Sequence, residues 1–271
     1  MKKLVVALSA LAAFTGSALA ADMAPRYSKA PPMPVAAVAN WTGCYVGGGG
    51  GYGMWNQENT GYDDGAPNGR FLTRTRITET VTTGGRGYFG TVQGGCDYQF
   101  SAIGHQFVIG ANADYDFDSL KGYHNPPGTN LWSPEKMSSA WAVGGRIGWL
   151  AFPNLLTYFS VGYTEAKFDS QTYTNLAGPP FGILANQYTP GKTYKGYYIG
   201  AGDEYALSFL PGLFWKTEYR FSEFDRTTNP VLFVNTNLPT GYSEDSKKYV
   251  HTVRSELVYR FNWGGPVVAK Y

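Results

Sequence analysis

The chain of 271 residues is 15% charged, 16% aromatic and 43% hydrophobic, with 35 Gly, 16 Pro and 2 Cys. Low charge with abundant aromatics excludes a disordered chain, and two cysteines exclude a disulfide-dense mini-protein or a four-cysteine zinc site. The formal charge of +2 is too small to attract nucleic acid, and without Lys2 and Lys3 the remaining chain is neutral.

Residues 1–20, MKKLVVALSALAAFTGSALA, have a basic start, a short apolar stretch and small residues at Ala18 and Ala20. That pattern predicts a secretory signal peptide cleaved after Ala20, with Sec-type export. The apolar stretch is too short for a spanning helix, which needs about 20 apolar residues. Residues 21–42 begin with a Pro/Ala-rich run without periodicity and read as an extended periplasmic leader. Pro25, Pro31, Pro32 and Pro34 lack ladder donors and preclude a central strand there.

From residue 43 onward the period is two. Strands are predicted over 43–57, 87–99, 105–118, 136–151, 156–168, 193–207, 213–226 and 248–262. In the seventh, Leu213, Trp215, Thr217, Tyr219 and Phe221 share one face, while Lys216, Glu218 and Arg220 share the other. The eighth alternates Val253, Leu257, Tyr259 and Phe261 with Arg254, Glu256 and Arg260. A soluble sandwich uses shorter strands, whereas a membrane barrel uses long ones with an apolar lipid face and a polar lumen. Aromatic residues near strand ends (Tyr45, Trp55, Tyr88, Trp149, Tyr197, Phe261, Trp263) suit interfacial girdles. Connections alternate short (100–104, 152–155, 208–212) and long (58–86, 119–135, 169–192, 227–247), the outer-membrane pattern. The predicted fold is all-β, an eight-stranded antiparallel transmembrane up-and-down barrel over 43–271. Short periplasmic turns and four long outer loops connect its strands. An even strand count brings both termini to the periplasmic side.

The segments NWTGCYVGG (Asn40 to Gly48), VQGGCDYQF (Val92 to Phe100), GAGDEYAL (Gly200 to Leu207) and LVYRFNWGGPVVAKY (Leu257 to Tyr271) resemble the small porin-like outer-membrane β-barrels of alphaproteobacteria. That family includes major surface immunogenic proteins and some haemin-binding members. The resemblance covers essentially the whole mature chain. It implies a Gram-negative outer-membrane location and a structural or surface-antigen role, with no single shared ligand. Outer-membrane lipid, lipopolysaccharide and the barrel assembly machinery are the expected partners.

An eight-stranded barrel has a lumen that side chains fill, and open channels need about 16 strands. The predicted inward set includes Gln93, Asp97, Asn112, Asp114, Arg146, Glu204, Lys216, Glu218, Arg220, Arg254, Glu256 and Arg260. Acids and bases in this set balance, so a structural charge network is expected, with a narrow pore as the rival reading. Glycines at 47–51, 53, 94–95, 144–145, 200 and 202 lie within strands with no helix following, which excludes a phosphate loop and suits tight curvature.

No catalytic, metal or cofactor site is expected from three scattered histidines. His105 falls at a short turn, His124 in the second long loop, and His251 on the lipid face. Ser255 shares that face with His251, but four strand residues span about 13 Å, too far for proton transfer. The alternative function is a small-solute porin or a haemin-uptake protein, for which Tyr123, His124 and Trp132 are the loop candidates. The barrel must close its last strand on its first. The assembly signal is expected at Phe261 or in the tail that follows Gly264-Gly265-Pro266.

Cys44 and Cys96 are predicted to form a disulfide. Export places both in an oxidising compartment. They lie on consecutive antiparallel strands whose facing residue numbers sum to about 140, and both are even-numbered and outward. The bond would stabilise by about 3–4 kcal/mol through the loop it closes.

Overall fold

The computed structural model describes residues 39–125, 131–175 and 183–261. The predicted signal peptide with Ala20, the leader up to residue 38, Trp263 and the tail over 262–271 lie outside the described residues.

Every described element is a strand: β1 (Gly43–Asp63), β2 (Thr75–Arg76), β3 (Val81–Ala102), β4 (His105–His124), β5 (Leu131–Phe152), β6 (Leu155–Phe168), β7 (Gln171–Asn175), β8 (Ile183–Thr189), β9 (Lys192–Ala206), β10 (Leu213–Phe224), β11 (Thr227–Phe233) and β12 (Pro239–Phe261). Eight of them form an antiparallel ring in the order β1-β3-β4-β5-β6-β9-β10-β12. β12 closes the ring on β1, from Cys44 opposite Phe261 to Asp63 opposite Tyr242. Closure leaves no open edge, which is what a strand in lipid requires.

The outer connections fall where expected, but much of their length is β-structure. β7 continues β6 and β8 continues β9 in one register: Phe168 faces Lys192 and Gln171 faces Thr189. The ladder is interrupted at Pro190, which has no N–H to donate. β11 likewise prolongs β10 along β12. Strands of 20 to 23 residues, against the 9–11 that a bilayer needs, carry the wall well beyond the membrane at this end.

Outside, two aromatic rings lie eight to ten residues apart along their strands. Tyr98, Trp149, Tyr205 and Tyr259 form the ring at the short-turn end, and Tyr88, Trp141, Tyr197 and Tyr163 the other. Val92, Ile109, Ile147, Val161, Ile199 and Leu257 are exposed between them. Two of the predicted girdle residues do not belong there. Tyr45 and Trp55 are 2% exposed and point into the lumen. The alternation that turns Cys44 and Val46 outward turns Tyr45 and Trp55 inward.

Inside, the lumen is layered. Near the short turns Trp41, Tyr45, Val108, Leu156, Tyr158, Phe214 and Val258 form one apolar layer. Trp41, assigned from sequence to the leader, is fully buried here, with its ring 4.8 Å from that of Phe214. Trp55, Phe89, Leu120, Met137, Ala140, Ala166, Phe168, Tyr194, Phe224 and Val250 form a second layer toward the long-loop end. Charged residues occupy the space between.

Glycine makes room for the inward rings. A Cβ at Gly144 or Gly162 would strike Tyr198, so both positions let that ring lie against the wall. A register shift in β5 between Met137 and Ser139 changes its inward face from Ser133, Glu135 and Met137 to Ala140 and Ala142. Such a bulge re-aims side chains without breaking the sheet.

Candidate functional site

The nine residues predicted to form the lumen network, Asp114, Arg146, Glu204, Lys216, Glu218, Arg220, Arg254, Glu256 and Arg260, are all buried inside the ring, as are Gln93, Asp97 and Asn112. Nearest the short turns, Arg260 donates to Glu204 Oε1 from Nε (3.1 Å) and Nη2 (2.6 Å). Its Nη1 donates to Asp97 Oδ2 (2.6 Å) and to the Trp41 carbonyl (3.1 Å). Arg146 donates to Glu204 Oε2 (2.9 Å) and grips Asp97 with Nε (3.0 Å) and Nη2. Both guanidiniums also face the Tyr45 ring, at 4.9 Å and 4.8 Å. Planar guanidiniums suit such combined bidentate and stacked packing.

One level further, Lys216 Nζ donates to Gln93 Oε1 (2.7 Å) and lies 3.3 Å from Glu256 and 3.6 Å from Glu218. Arg220 forks onto Asp114 (2.9 and 3.0 Å) and donates from Nε to Glu218 (2.9 Å). Arg254 bridges Asp114 (3.1 Å) and Asp116 (2.9 Å). A void of about 20 Å³ lies beside Asp114, Asp116, Arg220 and Arg254.

The charge balance differs from the sequence expectation. Among the described residues Arg146, Lys216, Arg220, Lys248, Arg254 and Arg260 face Asp97, Asp114, Asp116, Asp118, Glu135, Glu204, Glu218 and Glu256, an excess of acids. Asp116 and Asp118 lie on the inward face of β4, and Glu135 turns inward only because of the β5 bulge. Alternation carried the signal for the first two, while nothing local marks the bulge.

Beyond the second apolar layer lies a polar cluster that sequence reasoning missed. Lys248 Nζ donates to Glu135 Oε1 (2.5 Å) and to Gln57, and is boxed by Phe168 (4.1 Å), Tyr194 (4.8 Å) and Trp55 (5.2 Å). His124, expected in a surface loop, ends β4 and is 2% exposed. Its Nδ1 lies 3.2 Å from Gln57 Nε2 and 3.1 Å from Asn59 Nδ2, and its Nε2 lies 2.8 Å from Glu244 Oε2. Both ring nitrogens are thus engaged, and Tyr123 points away from His124 to the outside. Above this cluster a cavity of about 540 Å³ opens at the mouth, lined by Tyr62, Phe71, Ile77, Tyr173, Val231, Tyr242 and Glu244.

The segment after β1 borders that cavity. Asp63 is buried and accepts backbone N–H bonds from Arg70 (2.7 Å), Gly65 (2.9 Å) and Phe71 (3.5 Å). Burial opposes ionisation, but these donors and the Arg70 charge outweigh it and hold the carboxyl below the ordinary aspartate range. Asn68 and Asp64 tie the segment to β12 through Pro239, Gly241 and Ser243. Gly241 has φ 87° and meets the Asn68 backbone where a Cβ would sit, so only glycine fits.

On the outer wall Cys44 lies directly opposite Cys96, Cα–Cα 3.9 Å, in a disulfide spanning 52 residues. His251 and Ser255 do not meet: the His251 ring bonds the Tyr219 hydroxyl (2.8 Å), and Ser255 accepts from Trp215 Nε1 (2.8 Å). His105 is exposed at its short turn.

No protein-family model matches the chain. It is similar to the 31 kDa outer-membrane immunogenic proteins of Brucella melitensis and Brucella suis, at 28% identity over 263 residues, 96% of this chain and all of each relative. Among solved structures it is similar to OprG from Pseudomonas aeruginosa (8% identity, 83% of this chain and 100% of that one, TM-score 0.47). It is also similar to Ail of Yersinia pestis (10% identity, 80% and 99%, TM-score 0.33). The chain is an outer-membrane β-barrel, similar over 96% of its length to outer-membrane immunogenic proteins of Brucella.

Proposed function

We propose that this barrel is a structural and surface-presenting component of the outer membrane, with a sealed lumen and no catalytic role. The observation that carries the reading is the sequence of layers. An ion-paired middle is closed by aromatic and aliphatic side chains at both ends, Trp41 and Phe214 below and Trp55, Phe168 and Phe224 above. The void of about 20 Å³ beside Asp114 and Arg254 is at the size of a single water. Charges paired in this way brace the wall.

In this reading the signal peptide leaves after Ala20, and the short turns and residues 21–38 face the periplasm. The extended long-loop end presents its rim to the surroundings, including lipopolysaccharide. The barrel assembly machinery inserts the chain by its last strand. The similarity to immunogenic outer-membrane proteins supports surface exposure. Engagement of both His124 nitrogens and the separation of His251 from Ser255 support the absence of haemin ligation and of acyl transfer at these residues.

Planar-bilayer recording tests the sealed lumen. Purified protein should give no defined conductance steps, and a haemin titration should give no Soret shift. Reproducible steps characteristic of a hydrated pore would overturn the reading in favour of a small-solute porin.

A further inference from the structure

The three short turns are unlike solvent-facing hairpin loops. Residues 99–106 (QFSAIGHQ), 150–156 (LAFPNLL) and 206–214 (ALSFLPGLF) contain no Asp, Glu, Lys or Arg. Each turn also holds out bulky apolar side chains: Ile103 is 93% exposed, Phe209 76%, Phe152 63% and Leu210 46%. Ile103 is the sharpest case. Its φ is 53°, followed by Gly104 at 75°, so a β-branched residue occupies the left-handed position that Asn or Gly would fill without strain. An exposed isoleucine there costs conformational energy and gains nothing from the turn itself.

The turns adjoin the outward aromatic ring. Phe100 stacks on Phe107 at 5.9 Å, and Ile103 lies three residues past Phe100. At about 3.3 Å per residue and a tilt of about 40°, that places Ile103 roughly 8 Å beyond Phe100, which itself stacks on Tyr98 of the ring. The headgroup layer on each side of the hydrocarbon core is about 5–8 Å thick. The apolar rim is therefore continuous with the lipid-facing wall through Tyr98, Phe100 and Phe107.

We infer that the short-turn rim of this barrel is a lipid-anchoring surface, with Ile103, Phe152, Phe209 and Leu210 inserted among the phospholipid headgroups and upper acyl chains. The rim fixes the vertical position of the barrel, while the polar extension rises free at the opposite end. Neutral turns suit this occupant, because a charged side chain would draw the rim into water.

Site-directed spin labelling in vesicles of phospholipid alone tests the inference. Labels are placed at Ile103→Cys and Phe209→Cys in a Cys44→Ser/Cys96→Ser background, and heat-modifiable mobility verifies folding. Leu257→Cys reports the lipid belt and Thr236→Cys the aqueous rim. Labels at 103 and 209 should collide with oxygen as the belt label does, and several-fold less with a water-soluble nickel complex than the Thr236→Cys label. Nickel accessibility equal to that at position 236 would mean water and overturn the inference. Low accessibility to both reagents would mean protein cover and overturn it equally.

Discussion

Replacing Glu204 by Gln should expose how dry the lumen is. Glu204 is fully buried and accepts three hydrogen bonds, two from Arg260 and one from Arg146. Without its charge, two buried guanidiniums share Asp97 alone. Breaking a buried pair by removing one partner costs about 3–5 kcal/mol, because the remaining charge stays desolvated. With a urea slope of about 3 kcal/mol/M, the unfolding midpoint falls by about 1–1.7 M. The assay is urea unfolding in phospholipid vesicles, followed by the mobility of unheated samples on a gel. The control is Glu58→Gln, which breaks an exposed pair with Arg226 at 3.5 Å and should cost less than about 1 kcal/mol. Glu204→Met combined with Arg260→Met leaves Arg146 paired with Asp97 and should recover at least half of the loss. If Glu204→Gln costs no more than Glu58→Gln, the lumen charges are screened by water and the sealed-lumen reading fails.

Three other outcomes follow from the structure. Alkylation of the denatured, unreduced protein should label neither cysteine, and reduction should lower stability by about 4 kcal/mol in the chain-entropy account; two thiols labelled without reductant would refute the bond. The folded Asp63 carboxyl lies below its unfolded value, so its stabilisation of the segment after β1 is complete above the unfolded pKa of about 3.9 and is lost as pH falls through the folded pKa. Amide exchange at Gly65 and Arg70 should rise faster on acidification than the intrinsic rate predicts, and Asp63→Asn should already show that exchange at neutral pH. Gly144→Ala presses a methyl group on the Tyr198 hydroxyl and the Val161 carbonyl, and should destabilise by about 1–3 kcal/mol in the same urea assay, whereas an unchanged midpoint would show that the ring has room to move.

The sequence by itself determined the ring, its faces and one cross-link. Strict alternation in 213–224 and 253–261 assigns each side chain to wall or lumen, because a strand has only two faces. Alternating connection lengths give an antiparallel ring of even number, and numbering across one hairpin sets Cys44 opposite Cys96. Face assignment says nothing about partners around the ring. Arg146 on β5 meets Asp97 on β3 and Glu204 on β9, pairings fixed by strand stagger across the lumen, which no local pattern encodes. The apolar caps were illegible for a related reason. Aromatic residues suit both a lipid girdle and a lumen plug, so Tyr45 and Trp55 read as girdle residues although their odd numbers turn them in. Trp41 precedes the first strand and acquires its place only when Phe214 and Arg260 are brought beneath it. The β5 irregularity is likewise tertiary: between Met137 and Ser139 the strand holds one residue more than β6 and one fewer than β4, and only these two ladders together turn Glu135 toward Lys248.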